Sequence, residues 1–203
     1  MKISHIFFDL GKVLVDFDFS IAAGKIMQKS VLSPEEVTQE FYRLNGLIDE
    51  YETGSIDSET FFTRMKAEYR YEGSASELRE IWCSVFSPLE EHIQMARCLA
   101  QFYPLAIISN TSEAHVTYLE SQYDFFPIFR KKFYSHEVRC MKPNPAIYEH
   151  ALKEMGADKY ESLFIDDREE NIEAVARAGW QTIHLRPDVN LRLALQSYDL
   201  RGV

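Results

Sequence analysis

The chain has few of the features that would tie it to a crosslink, a membrane or a nucleic acid. Its three cysteines, Cys83, Cys98 and Cys140, are scattered and follow no metal-ligand spacing. They support neither a disulfide framework nor a zinc site, and buried free thiols in a reducing cytosol are expected. Basic charge is scarce: 22 Lys and Arg against 32 Asp and Glu give a net charge of −10. Such a surface repels polyanions, and no Lys/Arg cluster interrupts it, so nucleic acid is not an expected partner. No apolar run approaches the roughly 20 residues that span a bilayer, and Met1 to His5 lead into a strand without a signal-peptide apolar region. A cytoplasmic protein with no membrane partner is expected. Internal repeats and low-complexity segments are also missing. What is abundant is hydrophobic side chain, 46% of 203 residues. That is enough to bury one ordinary domain, or a core with a smaller insert.

Five short apolar runs read as buried parallel strands: 3–9, 105–109, 132–135, 162–166 and 182–185. From Pro104 onward they alternate with helices. Ser112 is placed to cap one that runs to about Gln122, Asn144 with Pro145 opens another that stops at Gly156, and a third covers Arg168 to Ala178 and ends at Gly179. This alternation predicts an α/β fold, a Rossmann-like doubly wound parallel sheet. The stretch from Asp16 to Ser87 breaks the rhythm with three amphipathic helical segments. One opens at the capping box Ser33-Pro34-Glu35-Glu36, one follows Asp57, and one carries Leu78, Ile81, Trp82 and Val85. Ser87-Pro88-Leu89-Glu90 repeats the start signal for a helix to about Gln101. The expected organisation is a core domain of residues 1–15 and 88–203 with an inserted all-helical cap, residues 16–87. Phe61, Phe62 and Trp82 are expected to form the small core of the cap. Asn45-Gly46 and Tyr51 to Ser55 are expected as a loop over the rim of the sheet.

The strand that begins the chain ends in Asp9, and the run Phe164-Ile165 ends in Asp166-Asp167. A parallel sheet delivers such residues to one rim, where ligands bind. Asp9 alone reads equally as a turn residue or cap. Ser109-Asn110-Thr111 follow a second buried strand and offer donors to phosphate oxygens, or simply cap the next helix. Lys142 is stiffened by Pro143, which suits either an aimed ammonium or a plain surface turn. Asp166 and Asp167 are adjacent acids whose repulsion is relieved by a cation, and Mg²⁺ takes one or two carboxylates with waters and phosphate oxygens.

In sequence order, Asp9-Leu10-Gly11-Lys12-Val13-Leu14, Ser109-Asn110, Lys142-Pro143 and Phe164-Ile165-Asp166-Asp167-Arg168-Glu169-Glu170-Asn171 resemble the four motifs of the haloacid dehalogenase superfamily of hydrolases. Tyr51-Glu52-Thr53-Gly54-Ser55-Ile56 with Phe61-Phe62 is similar to the cap segment of its sugar-phosphatase-like branch, which includes bacterial glucose-1-phosphate phosphatases. The resemblance implies a magnesium-dependent phosphatase of a small phosphorylated metabolite, such as a sugar phosphate, working through an aspartyl-phosphate on Asp9. It implies that Mg²⁺ is held by Asp9, the main-chain carbonyl of Gly11 and Asp167, with Asp166 acting through water. It places Ser109 and Lys142 on the transferring phosphoryl group and Asn110 on phosphate or substrate. A monomer or weak homo-oligomer is expected.

The chain departs from the family pattern at Gly11, where most phosphatases of the superfamily carry a second aspartate that protonates the leaving group. The candidates to replace it are Asp16, Asp18, His136 and cap residues such as Glu52. Asp16 and Asp18 suit capping or orienting the linker, and a lone histidine such as His136 suits packing. The departure leaves two alternatives open: a metal-independent haloacid dehalogenase, in which Asp166-Asp167 have no evident purpose, and a catalytically weak binding or regulatory protein.

Overall fold

The computed structural model describes residues 2–203, with the side chains of 40–43 outside the description, as is Met1. In chain order the elements are β1 (His5–Phe8), β2 (Val15–Phe17), α1 (Phe19–Met27), α2 (Pro34–Arg43), α3 (Asn45–Glu52), α4 (Ser58–Glu68), α5 (Ala75–Cys83) and β3 (Phe86–Pro88). They continue with α6 (Glu90–Leu99), β4 (Leu105–Ser109), α7 (Glu113–Gln122), β5 (Lys131–Tyr134), α8 (Ser135–Val138), α9 (Pro145–Met155), β6 (Ser162–Asp166), α10 (Glu169–Ala178), β7 (Gln181–His184) and α11 (Leu191–Gln196).

β1 lies at the centre of a five-stranded sheet of order β5-β4-β1-β6-β7. Every neighbouring pair in it is parallel. The centre is buried on both faces, which is why β1, β4 and β6 read as unbroken apolar runs. Alternation sorts their side chains: Ile6, Phe8, Leu105, Ile107, Leu163 and Ile165 join one apolar layer. Phe7, Ala106, Ile108 and Phe164 join the other, with Ile147, Tyr148 and Ala151 of α9 and Val175 of α10. Ile6, Phe7 and Phe8 are wholly buried, each contributing about 1.5–3 kcal/mol over an exposed position.

All five expected core strands are present: 105–109 and 162–166 have the expected bounds, and the other three are displaced by one or two residues at their ends, the ordinary uncertainty of a strand terminus. The helices expected from Ser112, Asn144-Pro145 and Arg168 also form, and Gly156 and Gly179 close theirs in the left-handed conformation. The helix expected from Ser87 is a correction. It opens at Glu90, because Ser87 and Pro88 belong to β3, which pairs antiparallel with β2 as Val15↔Pro88, Asp16↔Ser87 and Phe17↔Phe86. Two strands of three residues, far apart in sequence, are too short to show a period. Their ribbon joins the exit and return of the inserted segment.

Between β2 and β3 lie α1 to α5, where three helices were expected. The capping box forms, with the Ser33 amide donating to Glu36 Oε2 at 2.8 Å and the Glu36 amide donating to Ser33 Oγ at 3.3 Å. Asp57 accepts from the Thr60 amide to start α4. The additional helices are α1 and α3, and α3 takes Asn45, Gly46, Tyr51 and Glu52 of the residues expected as loop, while Thr53 to Ser55 lie in a turn. Asn45 and Gly46 are poor helix residues, but Leu47 and Tyr51 of α3 are buried in the insert's own core with Phe61, Phe62, Met65, Leu78 and Trp82. There Tyr51 stacks on Phe61 at 4.2 Å. Of the cysteines, all free, only Cys83 is buried, its thiol pushed by burial up to about 12, while Cys98 and Cys140 are partly exposed.

Candidate active site

β1 and β6 are in register, Phe8 beside Ile165, so the next rung sets Asp9 beside Asp166. Both continue the alternation of Phe7 and Phe164, and therefore face the layer covered by α9. Lys142 enters from that side, just before α9. Its Nζ lies 2.7 Å from Asp9 Oδ1 and 2.6 Å from Asp166 Oδ2, and its side chain is 1% exposed. Burial works against this ammonium, but Asp166 and Asp9 outweigh it and its pKa is raised. Burial also pushes the Asp9 carboxyl upward, with Lys142 pulling it down and Asp166 adding to the rise. Asp9 Oδ1 further accepts the Leu10 amide at 2.7 Å, while Oδ2 has no hydrogen-bond partner among the described residues.

Asp166 is fully buried and its acceptors are engaged. Besides Lys142 it takes the Arg168 amide at 2.8 Å and, on both oxygens, the Asn171 amide nitrogen at 3.0 Å. These donors come from the cap and first turn of α10, where an anion is favoured. Asp167 is half-buried, its pKa raised by burial and then by Asp166. Asp9, Asp166 and Asp167 each offer an oxygen within 4.8 Å of the others. The Gly11 carbonyl accepts no hydrogen bond among the described residues. Three carboxylates about one ammonium form an all-oxygen donor set of the kind a hard divalent cation takes.

Ser109 ends β4 and is 3% exposed. Asn110, expected as a phosphate or substrate contact, holds the main chain of Lys142. Its Oδ1 accepts the Lys142 amide at 2.7 Å and its Nδ2 donates to the Lys142 carbonyl at 2.9 Å. Asn110 thus clamps the main chain that carries the lysine. The same loop is held from β5 and α8: the Thr111 amide donates to Ser135 Oγ at 2.9 Å, and Ser135 Oγ donates back to the Thr111 carbonyl at 3.1 Å.

The position of the missing acid is filled. A Cβ on Gly11 would lie 3.0 Å from the Phe17 ring, which packs among Phe19, Phe86 and the Lys12 ammonium. Asp16 pairs with that same Lys12, and Asp18 accepts the Ser20 amide to cap α1. His136 stacks on Tyr134, its Nδ1 bonded to the Thr111 carbonyl at 3.1 Å. His115, stacked on Trp82, is pushed by burial to about 4 and so remains neutral. Glu52, at the end of α3, is the candidate that faces the rim. It lines a cavity of about 90 Å³ together with Leu10, Gly11, Phe17, Ser109 and Asn110. The sequence reading did not identify the roles of Phe17, Asn110 and Asn171 in building the site. Asn171 is signalled only by its spacing after Asp166, and Phe17 by nothing local.

Comparison with known proteins places the chain in a family. The family described as haloacid dehalogenase-like hydrolase matches residues 3–179. Among curated proteins, the chain is 24% identical over 187 residues to D-ribitol-5-phosphate phosphatase of Bacteroides thetaiotaomicron, covering 89% of this chain and 90% of that one. It is 24% identical over 196 residues to 6-phosphogluconate phosphatase of Escherichia coli, covering 92% and 84%. Among solved structures, a haloacid dehalogenase-family enzyme of B. thetaiotaomicron, in complex with magnesium and inorganic phosphate, superposes with a TM-score of 0.83. It is 22% identical, over 95% of this chain and 98% of that one.

Proposed function

Because the chain belongs to the haloacid dehalogenase-like hydrolases, we propose that it is a magnesium-dependent phosphatase of a small phosphorylated metabolite of the sugar-phosphate kind. The observation that carries the proposal is Lys142 buried between Asp9 and Asp166, with Asp167 completing an oxygen cluster. Asp9, the Gly11 carbonyl and Asp167 would hold Mg²⁺, with Asp166 behind them. When bound, the ion would neutralise charge on the transferring phosphoryl group. Asp9 is the nucleophile, through the oxygen that accepts no other donor. Lys142 draws off enough negative charge for one anion to approach another, and Ser109 donates to a phosphoryl oxygen. Residues 16–87 act as the cap and shield the reaction from water.

The named activities of the two curated relatives, on a sugar-alcohol phosphate and a sugar-acid phosphate, support this substrate class. A metal-independent dehalogenase would have no use for Asp167 beside two further carboxylates. The test is phosphate release from 4-nitrophenyl phosphate and a panel of sugar and sugar-alcohol phosphates. Turnover is expected to vanish with a chelator and in Asp9→Asn. Turnover that survives either change overturns the proposal.

A further inference from the structure

Loss of the acid at Gly11 leaves the leaving oxygen without a donor on β1, and general acid help is worth about 10²- to 10⁴-fold. Phe17 crowds the direction in which a side chain at Gly11 would project, and Glu52 lines the same cavity as both. Its carboxyl makes no hydrogen bond or ion pair among the described residues, and it shares a cavity with Leu10, Gly11, Ser109 and Asn110. At about 90 Å³ the cavity is large enough to admit water.

The end of α3 is pinned on both sides of Glu52. The Tyr51 hydroxyl accepts the Ala114 amide of α7 at 3.0 Å. Gly54, at φ +67°, turns against α8 so closely that a Cβ there would sit 2.2 Å from the His136 carbonyl oxygen. Arg139 donates to the Gly54 carbonyl at 3.2 Å. Glu52 is therefore held over the rim by contacts that do not use its own carboxyl.

We propose that Glu52 is the catalytic proton donor of this enzyme, doing from the cap what an aspartate at position 11 would do from the core. The assignment rests on the phosphatase reading above. As the Asp9 oxygen bonds to phosphorus and the phosphorus–oxygen ester bond breaks, the Glu52 proton passes to the departing alcohol oxygen. The resulting Glu52 carboxylate then takes a proton from the water that attacks the aspartyl-phosphate. Inorganic phosphate leaves, and Asp9 and Glu52 return to their starting states. Charges around Glu52 suit this cycle. Burial, with Asp49 on α3 and Asp9 after β1 adding, pushes it up to about 7, against Arg168 before α10 and Lys142 before α9.

The test compares leaving groups. A nitrophenolate departs with little protonation, whereas an alkoxide needs it. Glu52→Gln should lose about 10²- to 10⁴-fold in kcat on the fastest alkyl phosphate of the panel. In the pre-steady state with excess 4-nitrophenyl phosphate, its first-turnover release of nitrophenolate should slow by less than about tenfold, giving a burst followed by slow hydrolysis of the phosphoenzyme. The burst also reports that the variant is folded. If Glu52→Gln does not melt cooperatively, Glu52→Asp carries the test with the same selectivity expected. Equal losses on both substrates, or no loss on either, overturn the assignment. Activity in Asp9→Asn would instead overturn the phosphatase reading.

Discussion

At the scale of single residues, the site depends on one cation buried among acids. Lys142 neutralises Asp9 and Asp166 at hydrogen-bond distance. Removing one member of a buried ion pair is costly because the remaining charge is stranded. Lys142→Met should therefore lower the unfolding free energy by about 3–5 kcal/mol, measured by urea denaturation in chelator, and should abolish turnover. A change below about 1 kcal/mol, the range of exposed pairs, would show that the lysine does not balance these carboxylates. The sequence named Asp9, Ser109, Lys142, Asp166 and Asp167 because each lies at a strand end or before a helix and together, in order, they resemble the family's four motifs. It could not show that Asn110 spends both polar atoms on the Lys142 main chain. That depends on two loops meeting across 32 residues of sequence.

Among the elements, legibility followed burial and capping. The core strands announce themselves as apolar runs, and α9 and α10 through Asn144-Pro145, Gly156 and Gly179. The ribbon of β2 and β3 is hidden by its brevity, and α3 by Asn45 and Gly46 at its start. Yet α3 is the element that presents Glu52, and its fit depends on Gly54. Gly54→Ala adds a Cβ at φ +67°, 2.2 Å from the His136 carbonyl oxygen. The left-handed conformation alone costs an L-residue about 1–2 kcal/mol, and relief of the clash must lift the turn from α8. The expected result is a lower melting temperature, together with a drop of at least about tenfold in kcat/KM on an alkyl phosphate, since a 1 Å misplacement can cost about 10²-fold. Unchanged kinetics would show that the turn does not position Glu52.

For the molecule as a whole, a doubly wound sheet gathers residues from positions 9, 109, 142, 166 and 167 at one rim, and an inserted helical segment brings position 52 to face them. The fold class was readable because alternating strands and helices admit few topologies. The placement of the inserted segment against the sheet was not, because it is set by Tyr51 on Ala114 and Gly54 on His136, contacts with no local signature. The central claim is covalent: the opening strand's terminal carboxylate carries the phosphoryl group between two displacements. Rapid acid quenching of the enzyme during turnover of 4-nitrophenyl phosphate with Mg²⁺, followed by peptide mass spectrometry, tests it directly. A phosphoryl group is expected on the peptide containing Asp9, more of it in Glu52→Gln and none in Asp9→Asn. Turnover with no phosphorylated peptide, or with the group on another residue, would contradict the account.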